Sequence, residues 1–250
     1  MLDILVFLGS VRTSTPPRPA RLGERVARAC TARLTALGLQ ASLIDPLDYP
    51  RDAAFTPHFA HAKGRAPKAP DDLAARIEAA DGYVMVSPEY NHSLSPALAD
   101  LLNHFGSSLF SYKPSVIATY SAGQWGGTRA AMTMRGFLSE LGCLPVSAMI
   151  HVPHAQDVWD ADGAYLDGVD AVRWQGYLDR SFQQLEWWGQ AARDRRDAGA
   201  PRPGPAPFAA TPRSATRPEP TYPPAMVSRS QASRCAIATV CGLPRGQVSQ

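Results

Sequence analysis

Cysteine is scarce in this chain of 250 residues: there are four, Cys30, Cys143, Cys235 and Cys241. None of their spacings matches a zinc site, and Cys235 and Cys241 stand too far apart for a C-x-x-C redox pair. Such usage fits a reducing compartment. Long apolar runs are also missing, since no stretch approaches the roughly twenty residues that span a bilayer. The opening Met-Leu-Asp runs straight into a short apolar segment without the basic start of a signal peptide. The expectation is a soluble, cytoplasmic protein with no membrane partner. Neither G-x-G-x-x-G nor G-x-x-x-x-G-K-[ST] occurs, which removes a dinucleotide fingerprint and a Walker loop. His92, His104, His151 and His154 keep no metal-ligand spacing, so no metal is expected.

Charge is divided unevenly. Residues 1–192 hold 16 Lys and Arg against 19 Asp and Glu and so carry −3, whereas 9 Arg against 3 acidic residues give 193–250 a charge of +6. The second stretch is rich in Pro and nearly without periodic apolar pattern, and reads as a disordered appendage to one domain of residues 1–192. Its arginines are scattered among Pro, Ala and Ser rather than clustered with aromatics, which argues against a nucleic-acid partner. The short apolar patch 235–241 has no role that the sequence names.

Within 1–192, strand and helix patterns alternate. Residues 2–8 (LDILVFL) are almost continuously apolar, the mark of a strand buried on both faces of a parallel sheet. Helices are expected at 20–37, 71–80, 95–105, 124–141 and 170–192, and further strands at 40–44, 82–86, 114–120 and 143–152. Residues 46–70 lack a period and read as a binding loop or lid that shapes an acceptor pocket. The fold class is therefore α/β, a doubly wound five-stranded parallel sheet in the order 2-1-3-4-5 with helices on both faces. That order reverses between strands 1 and 3, and ligands bind in the crevice at the carboxyl ends of the strands there.

Three loops border that crevice. Gly9-Ser10-Val11-Arg12-Thr13-Ser14-Thr15 offers hydroxyls, a guanidinium and successive N–H groups, the chemistry of a phosphate cradle. Ser87-Pro88-Glu89-Tyr90-Asn91 supplies an extended, proline-stiffened backbone with an aromatic plane and an amide. Ser121-Ala122-Gly123-Gln124-Trp125-Gly126 brings glycines that let backbone approach a ligand closely. Each loop also has a plainer reading: a helix cap for the first, core closure for Tyr90, turning for Gly123 and Gly126, packing for Trp125. Together they fit a mononucleotide.

At these residues the sequence resembles the NADPH-dependent FMN reductase family, the flavodoxin-like group that includes quinone, azo-dye and chromate reductases. The resemblance spans residue 2 to about 190 and rests on GSVR, SPEYNHSLSPALADLLNHF and YSAGQWGGTRAAMTMRGFLSELGCLPV, in that order. It implies that Ser10 and Arg12 hold the FMN phosphate, that Pro88, Glu89, Tyr90 and Asn91 line the isoalloxazine ring, and that Ser121, Ala122, Gly123, Gln124, Trp125 and Gly126 face its pyrimidine side or ribityl chain. The insertion TSTPPRPA (13–20) lengthens the phosphate loop beyond the family pattern, so that Thr13, Ser14, Thr15, Arg18 and Arg21 are all candidate ligands. The implied activity is hydride transfer from NADPH or NADH through FMN to a small acceptor: a quinone, free flavin, azo compound or metal oxyanion. Flavin N5 carries the hydride, no protein acid or base is required, and Glu89 is read as structural. A homodimer or homotetramer is the implied assembly. A flavodoxin-like electron carrier and a non-enzymatic redox-sensing module remain as alternatives; the carrier fits poorly with a domain charge of only −3.

Overall fold

The computed structural model describes residues 1–14, 21–50, 54–62 and 64–199. Thr15, Arg18 and nearly all of the expected tail lie outside the described residues. β1 (Asp3–Leu8) is buried at five of six positions, as its apolar run requires. It pairs in parallel with β2 (Gln40–Ile44) on one side and β3 (Gly82–Pro88) on the other. β4 (Pro114–Tyr120) continues the sheet, and β5 (Leu144–Pro145) and β6 (Ile150–Val152) both pair with it. The order β2-β1-β3-β4-β5 is the expected one, with Leu8 beside Val86 at the switch point.

Alternation along the strands divides the core in two. Ile4, Val6, Val84, Val86 and Val116 pack against α1 (Leu22–Ala36) and α6 (Ala171–Asp197) through Val26, Leu34, Leu178 and Phe182. Leu5, Phe7, Tyr83, Met85 and Ile117 face α2 (Lys68–Ala79), α3 (Pro96–Asn103) and α5 (Thr128–Glu140) through Leu73, Ile77, Leu98 and Met134. A strand whose neighbouring residues serve opposite cores has no polar face to expose, hence the continuous apolar run.

Several boundaries differ from the sequence expectation. α5 begins at Thr128, not 124, because Gly126 and Gly127 both take left-handed φ values, 59° and 74°, that no helix accommodates. A short helix, α4 (Ser107–Phe110), follows α3 without a sequence signal. The described residues of 46–70 contain 3₁₀ turns at Pro46–Asp48 and His58–Ala60 and the first residues of α2. The His58 N–H donates to the His104 carbonyl at 2.8 Å, and Phe55 lies 4.8 Å from the His104 ring. The cavity of about 260 Å³ that this segment lines, with His58, His61 and His104, includes none of the three loops' residues.

The single strand expected at 143–152 is split into β5 and β6. Between them the backbone leaves the ladder, and side chains take over its hydrogen bonds: Arg135 Nη2 donates to the carbonyls of Val146 (2.7 Å) and Ser147 (2.9 Å), and Arg180 Nη2 to that of Met149 (3.1 Å). Gln184 Oε1 and Tyr177 Oη accept from the N–H groups of Ala148 (3.0 Å) and His151 (2.8 Å). A sheet edge saturated in this way offers little template for a further strand.

α6 runs five residues past its expected end at Ala192, because its terminal arginines are not free. Arg193 and Arg196 reach the Asp81 carboxylate at 3.1 and 2.7 Å, and Asp81 is 2% exposed. The same carboxylate accepts the Asp3 N–H at 2.9 Å. A buried charge of this kind needs such partners.

Candidate functional site

The carboxyl ends of β1, β3 and β4 bring the three loops to one edge of the sheet. The first leaves β1 at Gly9, whose N–H donates to the Val86 carbonyl at 2.7 Å. A Cβ there would stand 2.6 Å from that oxygen, so the close approach of β1 and β3 requires glycine. Ser10 is buried, and its side chain interacts with the Tyr120 phenol at the end of β4. Burial raises the Tyr120 phenol pKa, and Ser10 offsets this only in part, so Tyr120 is neutral at physiological pH. The Tyr120 hydroxyl also fills the space that a side chain at Gly23 would need, which fits α1 against β4.

Arg21 anchors the base of this loop. Its Nη2 donates to the Ser10 carbonyl at 2.9 Å and pairs with Asp45 at 2.7 Å, just after β2. Its Nε is buried with no partner among the described residues. Beyond Ser10 the loop turns outward: Val11, Thr13 and Ser14 are exposed, and Arg12 Nη1 donates to the Ser14 carbonyl at 3.2 Å. Among the described residues, no hydrogen bond occupies the N–H groups of Ser10, Val11, Thr13 or Ser14.

The second loop leaves β3 at Ser87, whose buried Oγ accepts the Ser95 N–H at 2.8 Å and donates to the Pro88 carbonyl at 2.8 Å. Tyr90 and Ser93 exchange N–H···O bonds of 3.0 and 2.9 Å around Asn91 and His92, which have φ values of 50° and 62°. Two successive left-handed residues define a type I′ turn, and Asn and His tolerate that region better than most residues. The turn exposes Tyr90 and holds Asn91 out. Ser95 then caps α3, accepting the Leu98 N–H at 3.0 Å, with Pro96 in the first helical turn.

Glu89 turns away from its neighbours to α5. Its Oε1 pairs with Arg129 Nε at 2.7 Å, and its Oε2 accepts the Arg129 N–H at 3.2 Å in the first turn of the helix. The carboxylate thus caps the positive end of the helix dipole and is engaged in an ion pair with Arg129. Thr133 Oγ1 donates to the His92 carbonyl at 2.9 Å and ties the turn to the same helix.

The third loop folds over Ser121. Its Oγ donates to the Gly123 carbonyl at 2.7 Å and accepts the Gly126 N–H at 2.9 Å. The segment after β6 supports it from behind: the Ser121 N–H donates to the Val152 carbonyl at 3.0 Å, and the His154 N–H to that of Gly123 at 3.0 Å. A Cβ on Gly126 would meet the Pro153 nitrogen at 3.1 Å, and one on Gly127 the Thr119 Cβ at 2.9 Å. Ala122, Gly123, Gln124 and Trp125 are exposed, and among the described residues their N–H groups make no hydrogen bond. The Arg129 guanidinium stands 5.9 Å from the Trp125 ring centre.

Sequence reasoning missed three residues that shape this site. Arg129 lies forty positions from Glu89, yet its place in G-G-x-R-A directly after the third loop was a usable signal. Tyr120 ends an apolar strand and gives no sign that its hydroxyl reaches Ser10. Asp45, the partner of Arg21, is visible only as the residue after a strand. A second hollow, of about 580 Å³, lies at the other edge of the sheet by Pro114 and Leu144, the first residues of β4 and β5.

The chain is 31% identical over 126 residues to an NAD(P)H-dependent FMN reductase of Pseudomonas aeruginosa, a match covering 49% of this chain and 66% of that protein. It is 32% identical over 87 residues to an NADPH azoreductase of a Bacillus species, covering 34% and 49% respectively. The chain thus spans less than two thirds of either relative. Among solved structures, the flavoenzyme NAD(P)H:(acceptor) oxidoreductase FerB of Paracoccus denitrificans superimposes with a TM-score of 0.59 at 22% identity, over 74% of this chain and 98% of that one, a likeness of fold. The family model for NADPH-dependent FMN reductase matches residues 2–157, and the chain belongs to that family.

Proposed function

We propose that the chain is an FMN-dependent oxidoreductase that passes a hydride from NADPH or NADH to a small acceptor such as a quinone, free flavin, azo compound or metal oxyanion. The observation that carries this reading is the meeting of three loops at one switch point, one with unused N–H groups and hydroxyls, two with exposed aromatic rings and unused amides. Bound FMN would supply the atom that accepts and then donates the hydride.

The residues divide the remaining work. The N–H groups of Ser10, Val11, Thr13 and Ser14, the hydroxyls of Thr13 and Ser14 and the Arg12 guanidinium would hold the phosphate. Ser10, whose side chain is buried beside Tyr120, would act through its backbone, and Arg21 fixes the loop through the Ser10 carbonyl. Pro88 and Tyr90 border the ring along the extended backbone, Asn91 offers its amide at the turn, and Glu89 keeps that path in place through Arg129. The N–H groups of Ala122, Gly123, Gln124 and Trp125 are the donors for the pyrimidine side; that of Gly126 is already used by Ser121. Donors fixed before reaction stabilise developing negative charge without reorganising. Self-association belongs to the same reading, for Tyr90, Trp125 and Met132 expose large apolar side chains. A reductase oxidises NADPH with a quinone or free flavin as the only other substrate. Turnover that needs an added partner reductase would instead mark an electron carrier.

A further inference from the structure

A third hollow adjoins the third loop at Pro153, and the hydride-transfer reading makes no use of it. It measures about 500 Å³ and lies between β6 and the start of α6. Trp174 and Tyr177 form its corner, with ring centres 5.8 Å apart at 80° to one another. Both rings are braced: Trp159 packs on Trp174 at 5.3 Å, and the Tyr177 hydroxyl is held by the His151 N–H at 2.8 Å. Pro153 closes the side towards the loop and is the residue whose nitrogen Gly126 approaches.

Three polar groups complete the lining. The Arg173 guanidinium is exposed and has no hydrogen bond or ion pair among the described residues. His151 Nδ1 shares a 2.8 Å bond with Thr119, which leaves Nε2 unused. Burial and, secondarily, Arg180 lower the His151 pKa, so the ring is neutral near pH 7. Asp170 spends one oxygen on the Arg173 N–H at 3.0 Å; its other oxygen can accept from an amino group. A braced aromatic corner, an unpaired guanidinium and a carboxylate acceptor are complementary to a planar amino-heterocycle that carries a phosphate.

We propose that this hollow receives the phosphorylated adenosine end of the hydride donor and that Arg173, by pairing with the 2′-phosphate, is the residue that favours NADPH over NADH. The inference rests on the reductase reading and goes beyond it. The donor's two ends would straddle the third loop, the reacting end over the crevice and the adenosine end behind Pro153. NADH would leave Arg173 without a partner, so it loses one charge-assisted contact relative to NADPH.

The probe is 2′,5′-ADP, with 5′-AMP as the control lacking the 2′-phosphate, titrated calorimetrically into the full chain in the presence of FMN. The wild-type protein is expected to bind 2′,5′-ADP more tightly than 5′-AMP. Arg173→Gln should remove that advantage, weakening 2′,5′-ADP by about tenfold or more while 5′-AMP and FMN bind as before. Arg173→Lys should restore part of it, and the ratio of kcat/KM for NADPH over NADH should fall in step in Arg173→Gln. Equal binding of the two probes to wild type, or 2′,5′-ADP affinity untouched by Arg173→Gln, would overturn the assignment. A separate FMN titration keeps the two readings apart. A chain that binds FMN but shows no Arg173-dependent 2′,5′-ADP binding loses only this inference, whereas one that binds 2′,5′-ADP through Arg173 but not FMN loses the reductase reading.

Discussion

The two ends of the sheet handle polar groups in opposite ways. At the amino ends of the strands, charges are buried and consumed by one another: Asp81 takes Arg193, Arg196 and the Asp3 N–H, and Lys113 Nζ donates to the carbonyls of Ile77, Glu78 and Leu109 at 2.7, 2.6 and 2.9 Å. At the carboxyl ends, backbone N–H groups are left unused and aromatic rings face outward. A buried polar group without a partner is costly, so the first end can only be read as structure. Exposed donors cost little until a ligand arrives, and the second end is where binding is proposed.

Variants at the amino end should therefore lower stability without altering ligand affinity. Lys113→Met removes three hydrogen bonds and leaves the Ile77 and Leu109 carbonyls only the Tyr83 hydroxyl; it is expected to cost about 2 kcal/mol, read as a lower midpoint in urea with FMN affinity of the folded protein unchanged. Burial lowers the Lys113 pKa to about 8 from 10.5. Between those values the unfolded chain carries the extra proton, so this group favours the folded state increasingly as pH rises through that window. Lys113→Met should flatten that part of the stability profile. Asp81→Asn weakens both arginine contacts; since Arg193 and Arg196 are partly exposed and can turn to water, a loss of about 2 kcal/mol is expected.

Variants at the carboxyl end should do the reverse. Glu89→Gln loosens the first turn of α5 and the path of the second loop, with a loss of about 1 kcal/mol in stability but a clear fall in FMN affinity by fluorescence titration. Arg12→Ala, on an outward-facing loop, should leave the urea midpoint within about 0.5 kcal/mol and still weaken FMN. A variant from the structured end that changed affinity alone would break the comparison.

Legibility in the sequence followed the same division. β1, β3 and β4 were readable because a strand buried on both faces writes a continuous apolar run, and the three loops were readable because their residues are contiguous. What escaped depends on pairs distant in sequence. The arginines at the end of α6 look like the start of a basic tail until Asp81, more than a hundred positions earlier, is placed beside them. The break between β5 and β6 is settled by Arg135, Arg180 and Gln184 reaching in from two helices. The pairing of Glu89 with Arg129 was not foreseen, and the aromatic hollow by Arg173 joins β6 to α6 in a way no local motif announces.

The most direct test of the account is the visible absorption spectrum of the protein titrated with FMN and then with NADPH under anaerobic conditions. Tight binding, with a band near about 450 nm that NADPH bleaches, is the result it predicts. A protein that stays colourless and leaves added FMN free would contradict it.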